Sequence, residues 1–416
     1  MSCTRFCELN FNLNLKIYNV FYCWRALDLS DLNLHDCLSW FGNILTQGIN
    51  IRIREDTMKI CMILGTRPEI IKFCSIIREC QRLKLDYFIL HTGQHYSYNM
   101  DRVFFEQLEL PEPKFNLDVG SGSHGEQTGT MIKEIEAILL LQRPDFVLVE
   151  GDTNTVLAGA IAASKLGIKV AHVEAGLRSY DRTMPEEINR VLADHSSDFL
   201  FAPTETSKHI LLKEGIDSKK IFVVGNTIVD AVYQNLRIAA SKSQALENLH
   251  LKEGKFVLAT AHRAENVDNK EKFSGLIQGL QKVQDYFGLP VIYPIHPRAR
   301  KQLDVFGIQS LGLSLIDPLD YLSFLLLQKT SMLVLTDSGG VQEETCILKV
   351  PCVTLRENTE RPETIDVGSN ILAGTDPNRI LNAAIEMSSL ERNWKNPFGK
   401  GDSGEKIISI LLEEGC

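Results

Sequence analysis

Residues able to bind or move charge cluster in short segments, each standing where an apolar run gives way to a helical pattern. Gly65-Thr66-Arg67-Pro68-Glu69-Ile70-Ile71-Lys72 joins a glycine that permits a sharp turn to a proline suited to a first helical turn. Its cations, Arg67 and Lys72, are expected on one side of that helix mouth, where anions gather. In Glu150-Gly151-Asp152-Thr153-Asn154, Asp152 stands at a strand end and Thr153 is free to cap the next helix. Glu174, in His172-Val173-Glu174-Ala175-Gly176-Leu177-Arg178, stands at another. Met184-Pro185-Glu186-Glu187-Ile188-Asn189-Arg190 opens a helix with two acids. Each acid alone reads as a cap or a partner of the helix dipole. Asp152, Glu174 and Glu186, on three consecutive strand-to-helix crossings of one sheet edge, are expected to converge on one ligand.

The second half repeats the arrangement. Thr260-Ala261-His262-Arg263-Ala264-Glu265-Asn266 follows an apolar strand with a His-Arg pair. Thr336-Asp337-Ser338-Gly339-Gly340-Val341-Gln342-Glu343-Glu344 runs from a strand through Ser-Gly-Gly into a helix. Bare N–H groups and the helix dipole there fit a diphosphate, and Glu344, one turn on, is placed to accept two ribose hydroxyls. The Arg residues of Arg356-Glu357-Asn358-Thr359-Glu360-Arg361-Pro362-Glu363 would complete the phosphate shell. Gly120-Ser121-Gly122-Ser123-His124-Gly125 matches a dinucleotide fingerprint by letter only, because the preceding residues 111–118 read as polar and proline-broken, not as a buried strand. It is read as a flexible loop. No Walker loop, HExxH or GxSxG occurs, so neither a cofactor nor a metal is expected.

These segments need strands and helices in alternation to hold them. From residue 58 the chain supplies that, with strands read at 60–64, 86–92, 145–150, 170–174, 199–202 and 221–224, and helices between them. A mostly helical bridge at 228–247 follows, and the alternation restarts at 256–260 and runs to a last helix at 404–414. Such alternation means βαβ units and parallel sheets: an α/β chain of two Rossmann-like domains facing across a cleft, with ligands beyond the carboxyl ends of the strands. The domains are read as 58–226 and 227–393, with a terminal helical segment at 394–416. Residues 1–57 hold four of the ten Cys and two of the three Trp and show no such punctuation. They are read as an extension outside the fold, with Met58 as the working start.

Composition agrees: 416 residues, 44% hydrophobic and 23% charged, suffice for two ordinary domains. The net charge of −9 speaks against a nucleic-acid partner. The longest apolar runs are too short to cross a membrane and no secretory pattern opens the chain, so a cytoplasmic location is expected. No CxxC pair occurs, and Cys61, Cys74, Cys346 and Cys352, set in apolar runs, are expected as buried thiols.

The ordered set GTRPE, GDT, HVEAGLR, PEE, AHR, TDSGGVQEE and ERPE resembles the non-hydrolysing UDP-N-acetylglucosamine 2-epimerases from about residue 58 to 388. The resemblance implies a fold like that of two-domain glycosyltransferases, with the last helix crossing back to the first domain. It implies a homodimer that interconverts UDP-N-acetylglucosamine and UDP-N-acetylmannosamine for surface polysaccharide or glycan synthesis. It assigns catalysis to Asp152, Glu174, Glu186 and His262. It gives UDP-sugar binding to Arg67, Lys72, Phe324, Ser338, Gly339, Gly340, Glu344 and Arg361, and a regulatory site to Gln94 and His296. Residues 179–184 and the loop around Gly120 depart from the bacterial pattern. The alternatives are a UDP-sugar-dependent glycosyltransferase of the same fold, a hydrolysing 2-epimerase and a non-catalytic sugar-nucleotide sensor.

Overall fold

The computed structural model describes residues 58–94 and 98–415; the reading of residues 1–57 lies outside the described residues. The strands are β1 (Lys59–Leu64), β2 (Asp86–His91), β3 (Phe115–Asn116), β4 (Phe146–Glu150), β5 (Lys169–Val173), β6 (Phe199–Ala202) and β7 (Ile221–Val223), then β8 (Val257–Thr260), β9 (Val291–Pro294), β10 (Ser314–Ile316), β11 (Leu333–Thr336), β12 (Cys352–Thr354) and β13 (Asn370–Leu372). Two parallel sheets result, in the orders β3-β2-β1-β4-β5-β6-β7 and β10-β9-β8-β11-β12-β13. In each, the order reverses once, between β1 and β4 and between β8 and β11. Connections leave on opposite faces there and open a crevice beyond the strand ends.

The helices of the first half are α1 (Arg67–Leu83), α2 (Tyr98–Gln107), α3 (His124–Gln142), α4 (Asn154–Lys165), α5 (Pro185–Ser196) and α6 (Glu205–Lys213). The bridge comprises α7 (Thr227–Lys242) and α8 (Ala245–Asn248). The second half adds α9 (Ala264–Val267), α10 (Lys270–Phe287), α11 (Pro297–Phe306), α12 (Tyr321–Thr330), α13 (Gly339–Leu348), α14 (Pro362–Asp366) and α15 (Pro377–Ser388), and α16 (Ser403–Gly415) ends the chain.

From Ile60 to Leu64 β1 is apolar on both faces and fully buried, as a central parallel strand must be. One apolar cluster runs from Ile60, Met62 and Leu64 through Phe73, Ile77, Val229 and Val232 to Leu258, Leu325 and Val334 of the second half. The bridge helix α7 packs on α1, α12 and α13, so it belongs to both halves. α16 lies on α1 and α7, its first turn tied down by Asp230, which accepts the N–H groups of Ser403 (3.2 Å) and Gly404 (3.0 Å). Cys61, Cys74, Cys80, Cys346 and Cys352 are buried free thiols.

The structure adds elements that the pattern hid. Residues 111–118 contain β3, pairing with β2 at the sheet edge, and Ser123 caps α3. The glycine-rich segment therefore does lie between a strand and a helix, but its strand is a two-residue, half-buried edge. α2 and α11 are likewise new. Among the described residues, no helix is long and apolar enough to cross a membrane.

Candidate active site

The two crevices collect the charged segments. Beyond β1, Gly65 leaves no room for a side chain: a Cβ there would fall 2.0 Å from Thr92 Oγ1 and 2.5 Å from Thr155 Oγ1. Glu69 closes the turn, accepting the N–H groups of Gly65 (2.6 Å) and Thr66 (2.8 Å) and the Thr153 hydroxyl (2.5 Å). Burial nonetheless pushes Glu69 up to about 7. Arg67 and Lys72 part company, contrary to the sequence expectation. Five residues turn an α-helix through about 500°, leaving the two about 140° apart. Arg67 is exposed, its guanidinium 5.2 Å from the centre of the Phe104 ring. Lys72 points inward to carboxylates.

That inward cluster is the centre of the site. Lys72 Nζ lies 3.1 Å from Glu150 Oε1 and hydrogen-bonds Glu174 Oε2. Glu150, the last residue of β4, is 1% exposed. Glu174 follows β5 with φ of +70°, a left-handed backbone uncommon for a side-chain-bearing residue. Asn226, while capping α7, donates to Glu174 Oε1 at 2.9 Å. Burial works against the charge of all three groups. The acidic side chains of Glu150, Glu174 and Glu343 around it hold the Lys72 ammonium well above its usual range. Lys72 and Arg361 hold Glu174 down to about 2, whereas burial leaves Glu150 far above the carboxylate range.

The second half answers with opposite charge. Arg361 Nε lies 2.9 Å from Glu343 Oε1. Glu343, and beyond it Glu174, Glu363 and Asp152, raise the Arg361 pKa against burial. The Arg361 guanidinium therefore sits in the field of Asp152 and Glu174, acids of the other half. Asp152 is held by Arg190, at 3.0 Å from Nε and 2.5 Å from Nη2.

The three proposed acids occupy two crossings and not three, because Glu174 opens and Glu186 closes the same β5–α5 connection. Their surroundings differ. Glu187 is buried and accepts the N–H groups of Ser179 (2.8 Å) and Tyr180 (3.0 Å) and Arg190 Nη1 (2.9 Å). Glu186 is exposed. Behind them, His172 Nδ1 lies 2.7 Å from Asp194 Oδ1 and Nε2 lies 2.8 Å from the Gly151 carbonyl. Both ring nitrogens face acceptors, so both carry protons, and the Asp194 charge raises the imidazole pKa against burial.

In the second crevice Asp337, fully buried, accepts N–H groups from His262 (3.0 Å) and Arg263 (2.9 Å) and the Asn266 amide (3.2 Å). Burial opposes its charge, but the His262 imidazole beside it, Nδ1 3.3 Å from Oδ1, and the N–H groups of His262 and Arg263 hold Asp337 below its ordinary value. His262 is thus fixed over the β8–β11 switch, its ring 6.0 Å from that of His296. Ser338 stands at the N-cap position of α13 without a side-chain capping bond, followed by Gly339 and the exposed Gly340. Glu344 is buried against Gln328 Nε2 at 2.6 Å and pushed up by burial to about 7. Phe324 is half-buried on the core. Arg356 is not available to a phosphate: Glu265 (2.9 Å) and Glu360 (2.7 Å) engage it. Gln94 is buried, accepting from the Thr155 hydroxyl (2.8 Å) and N–H (3.2 Å); His296 is exposed and caps α11.

Sequence reasoning passed over Glu150, Asn226, Asp337 and Glu343. Glu150 and Asp337 carried a signal, an acid inside an otherwise apolar strand end. Among the described residues, no group of three or more His, Cys, Asp or Glu is arranged to hold a metal ion.

Residues 78–412 match the family model described as UDP-N-acetylglucosamine 2-epimerase. The chain is 57% identical over 361 residues to the UDP-N-acetylglucosamine 2-epimerase of Methanocaldococcus jannaschii, covering 85% of this chain and 99% of that protein. It is 41% identical over 363 residues to the UDP-2,3-diacetamido-2,3-dideoxy-D-glucuronate 2-epimerase of Pseudomonas aeruginosa, covering 86% and 100%. The crystal structure of the M. jannaschii UDP-GlcNAc 2-epimerase in complex with UDP-GlcNAc and UDP aligns with a TM-score of 0.75 at 56% identity, over 86% of this chain and 100% of that one.

Proposed function

The chain belongs to the UDP-N-acetylglucosamine 2-epimerase family, and from that premise we propose that this isomerase interconverts UDP-N-acetylglucosamine and UDP-N-acetylmannosamine. The observation that carries the reading is the buried Lys72–Glu150–Glu174 cluster at the end of one sheet, set in the field of Arg361 from the other. Inversion at C2 breaks a C–H bond whose carbon is not next to a carbonyl. Elimination solves this. A base removes the C2 proton, the C–H electrons form the C1=C2 double bond, and the C1–O bond breaks to release UDP. UDP then adds back at C1 as a proton returns to the opposite face of C2.

Glu174, ionised across the working pH range, is suited to take a proton, and Asp152 and Glu186 are carried as the other proton-transfer groups. Each such group contributes about 10²–10⁴-fold. Arg67, His262 and the N–H groups of Gly339 and Gly340 would meet the departing diphosphate, whereas Arg361, paired with Glu343, and Ser338, whose N–H donates to Thr336 Oγ1, are already engaged. Glu344 would accept the ribose hydroxyls and Phe324 would flank the uracil. Gln94 and His296 are carried as a regulatory subsite, and the working form as a homodimer in the cytoplasm feeding polysaccharide or glycan synthesis. The exposed Leu140, Leu141, Ile188 and Leu192 on α3 and α5 supply apolar surface for the dimer.

The test is proton NMR of the protein with UDP-N-acetylglucosamine in deuterium oxide. The expected result is the manno epimer with deuterium at C2. Epimer without deuterium refutes the elimination. UDP released in step with turnover indicates a hydrolysing enzyme, and an unchanged substrate a transferase or a sensor.

A further inference from the structure

Glu150 is the buried group that this chemistry leaves idle. It closes β4 at 1% exposure, one residue before the glycine that turns toward Asp152. Its carboxyl oxygen Oε1 lies 3.1 Å from Lys72 Nζ, and the same ammonium hydrogen-bonds Glu174, so one cation draws the two buried carboxyls together. Two carboxyl groups so placed can hydrogen-bond each other only if one keeps its proton. One cation, Lys72, serves the pair directly, and two like charges this close do not both ionise. Asn226 and Lys72 both donate to Glu174, whereas Glu150 Oε1 accepts no hydrogen bond, although Lys72 Nζ lies 3.1 Å away. The proton therefore resides on Glu150.

We propose that Glu150 is a positioning residue: as a neutral acid, it donates to Glu174 and so fixes that side chain, as the carboxylate, toward the cleft. The proposal rests on the role of Glu174 given above. Of the charged groups around the pair, Lys72 favours the charge of both carboxyls, whereas Glu69 on α1 and Glu174 itself oppose a charge on Glu150, and Arg361 favours it on Glu174; burial then leaves the proton on Glu150. The displacement of the two pKa values in opposite directions agrees with one proton divided unequally. The consequence is a working limit on the alkaline side. Once Glu150 ionises, the donor is lost and two anions face each other at the reacting carbon.

Two variants and one spectrum test this. E150L removes the donor, and kcat is expected to fall about 10²-fold, the size of a lost hydrogen bond to a charged group. E150Q keeps a donor that cannot ionise; it is expected to recover at least tenfold over E150L and to move the alkaline limb of the kcat profile upward or abolish it. A purely structural role would leave that limb in place. Without substrate, the infrared difference between parent and E150Q at about pH 8, above the values near 7 of Glu69 and Glu344, is expected to show a neutral carboxylic acid carbonyl in the parent alone. An alkaline limb unchanged in E150Q, parental kcat in E150L, or no carbonyl difference overturns the proposal. Failure of the parent to form any epimer counts against the function proposed above, and the infrared result then decides Glu150 independently.

Discussion

Replacing Lys72 by methionine removes one charge and keeps most of the methylene stem, so the perturbation is electrostatic and not a cavity. The Lys72 side chain is 14% exposed and serves Glu150 and Glu174 together. Breaking a buried pair at one partner costs about 3–5 kcal/mol, because the remaining charge loses its compensation. The structure gives a second route to the size. Glu174 is held at about 2 against an ordinary 4.5, and at about 1.36 kcal/mol per tenfold that gap is worth roughly 3 kcal/mol.

The pH dependence follows from the direction of the displacement. In the parent, Glu174 titrates lower when folded than when unfolded, so its contribution is fully present above about 4.5 and disappears as pH falls through about 2. In K72M, burial acts with less opposition and Glu174 moves up. The folded state then keeps a proton that the unfolded chain has lost, and stability falls as pH rises. Urea unfolding followed by circular dichroism is expected to show K72M about 3–4 kcal/mol less stable at about pH 7.5, narrowing to about 1 kcal/mol near pH 4.5, with kcat/KM down by at least 10²-fold. A deficit below about 1 kcal/mol at neutral pH, or one that does not change with pH, refutes the reasoning.

D337N weakens the acceptor that holds His262, Arg263 and Asn266 in place; a loss of about 2 kcal/mol in urea unfolding and 10–100-fold in kcat/KM is expected. E344Q tests the opposite sign to K72M. Glu344 stands near 7 and the unfolded group near 4.5, so parental stability falls by up to about 3 kcal/mol as pH rises between them, and E344Q, which cannot ionise, is expected to gain on the parent from pH 5 to pH 8 in thermal unfolding. E186Q and E187Q separate two adjacent acids. E187Q, which weakens the contacts to Ser179, Tyr180 and Arg190, is expected to lose about 1–2 kcal/mol, whereas E186Q stays within about 0.5 kcal/mol while its kcat reports whether that exposed acid takes part in the chemistry.

The alternation of elements was legible because each buried strand and each long helix repeats its apolar residues at a fixed period. α11 was not, since it buries only Ala299 and Leu303 and is capped by a histidine. β3 was not, being two residues at an edge beside Pro113. Candidate acids were legible where a polar residue interrupts a strand end. Their partners were not, because Lys72 and Glu174 stand 102 residues apart and meet only when β1, β4 and β5 are laid side by side. Lys72 and Arg67, expected on one side of the helix mouth, diverge for a local reason: the spacing of five places them on different sides of α1.

That separation has a consequence for the charge balance of the site. The inward cluster holds two cations, Lys72 and Arg361, against three carboxyls, Glu150, Glu174 and Glu343. With the proton on Glu150, two positive charges meet two negative ones and the buried set is neutral, which its burial demands. A neutral cluster has no spare cation for a diphosphate. In the proposed elimination, the charge of the leaving group would then be met from outside it, by the exposed Arg67, by His262 over Asp337, and by the N–H groups of the first turn of α13. Keeping these duties on separate residues would let the diphosphate come and go without altering the ionisation of Glu174, a requirement of the proposed reaction, in which the same UDP leaves and returns while the proton at C2 is exchanged.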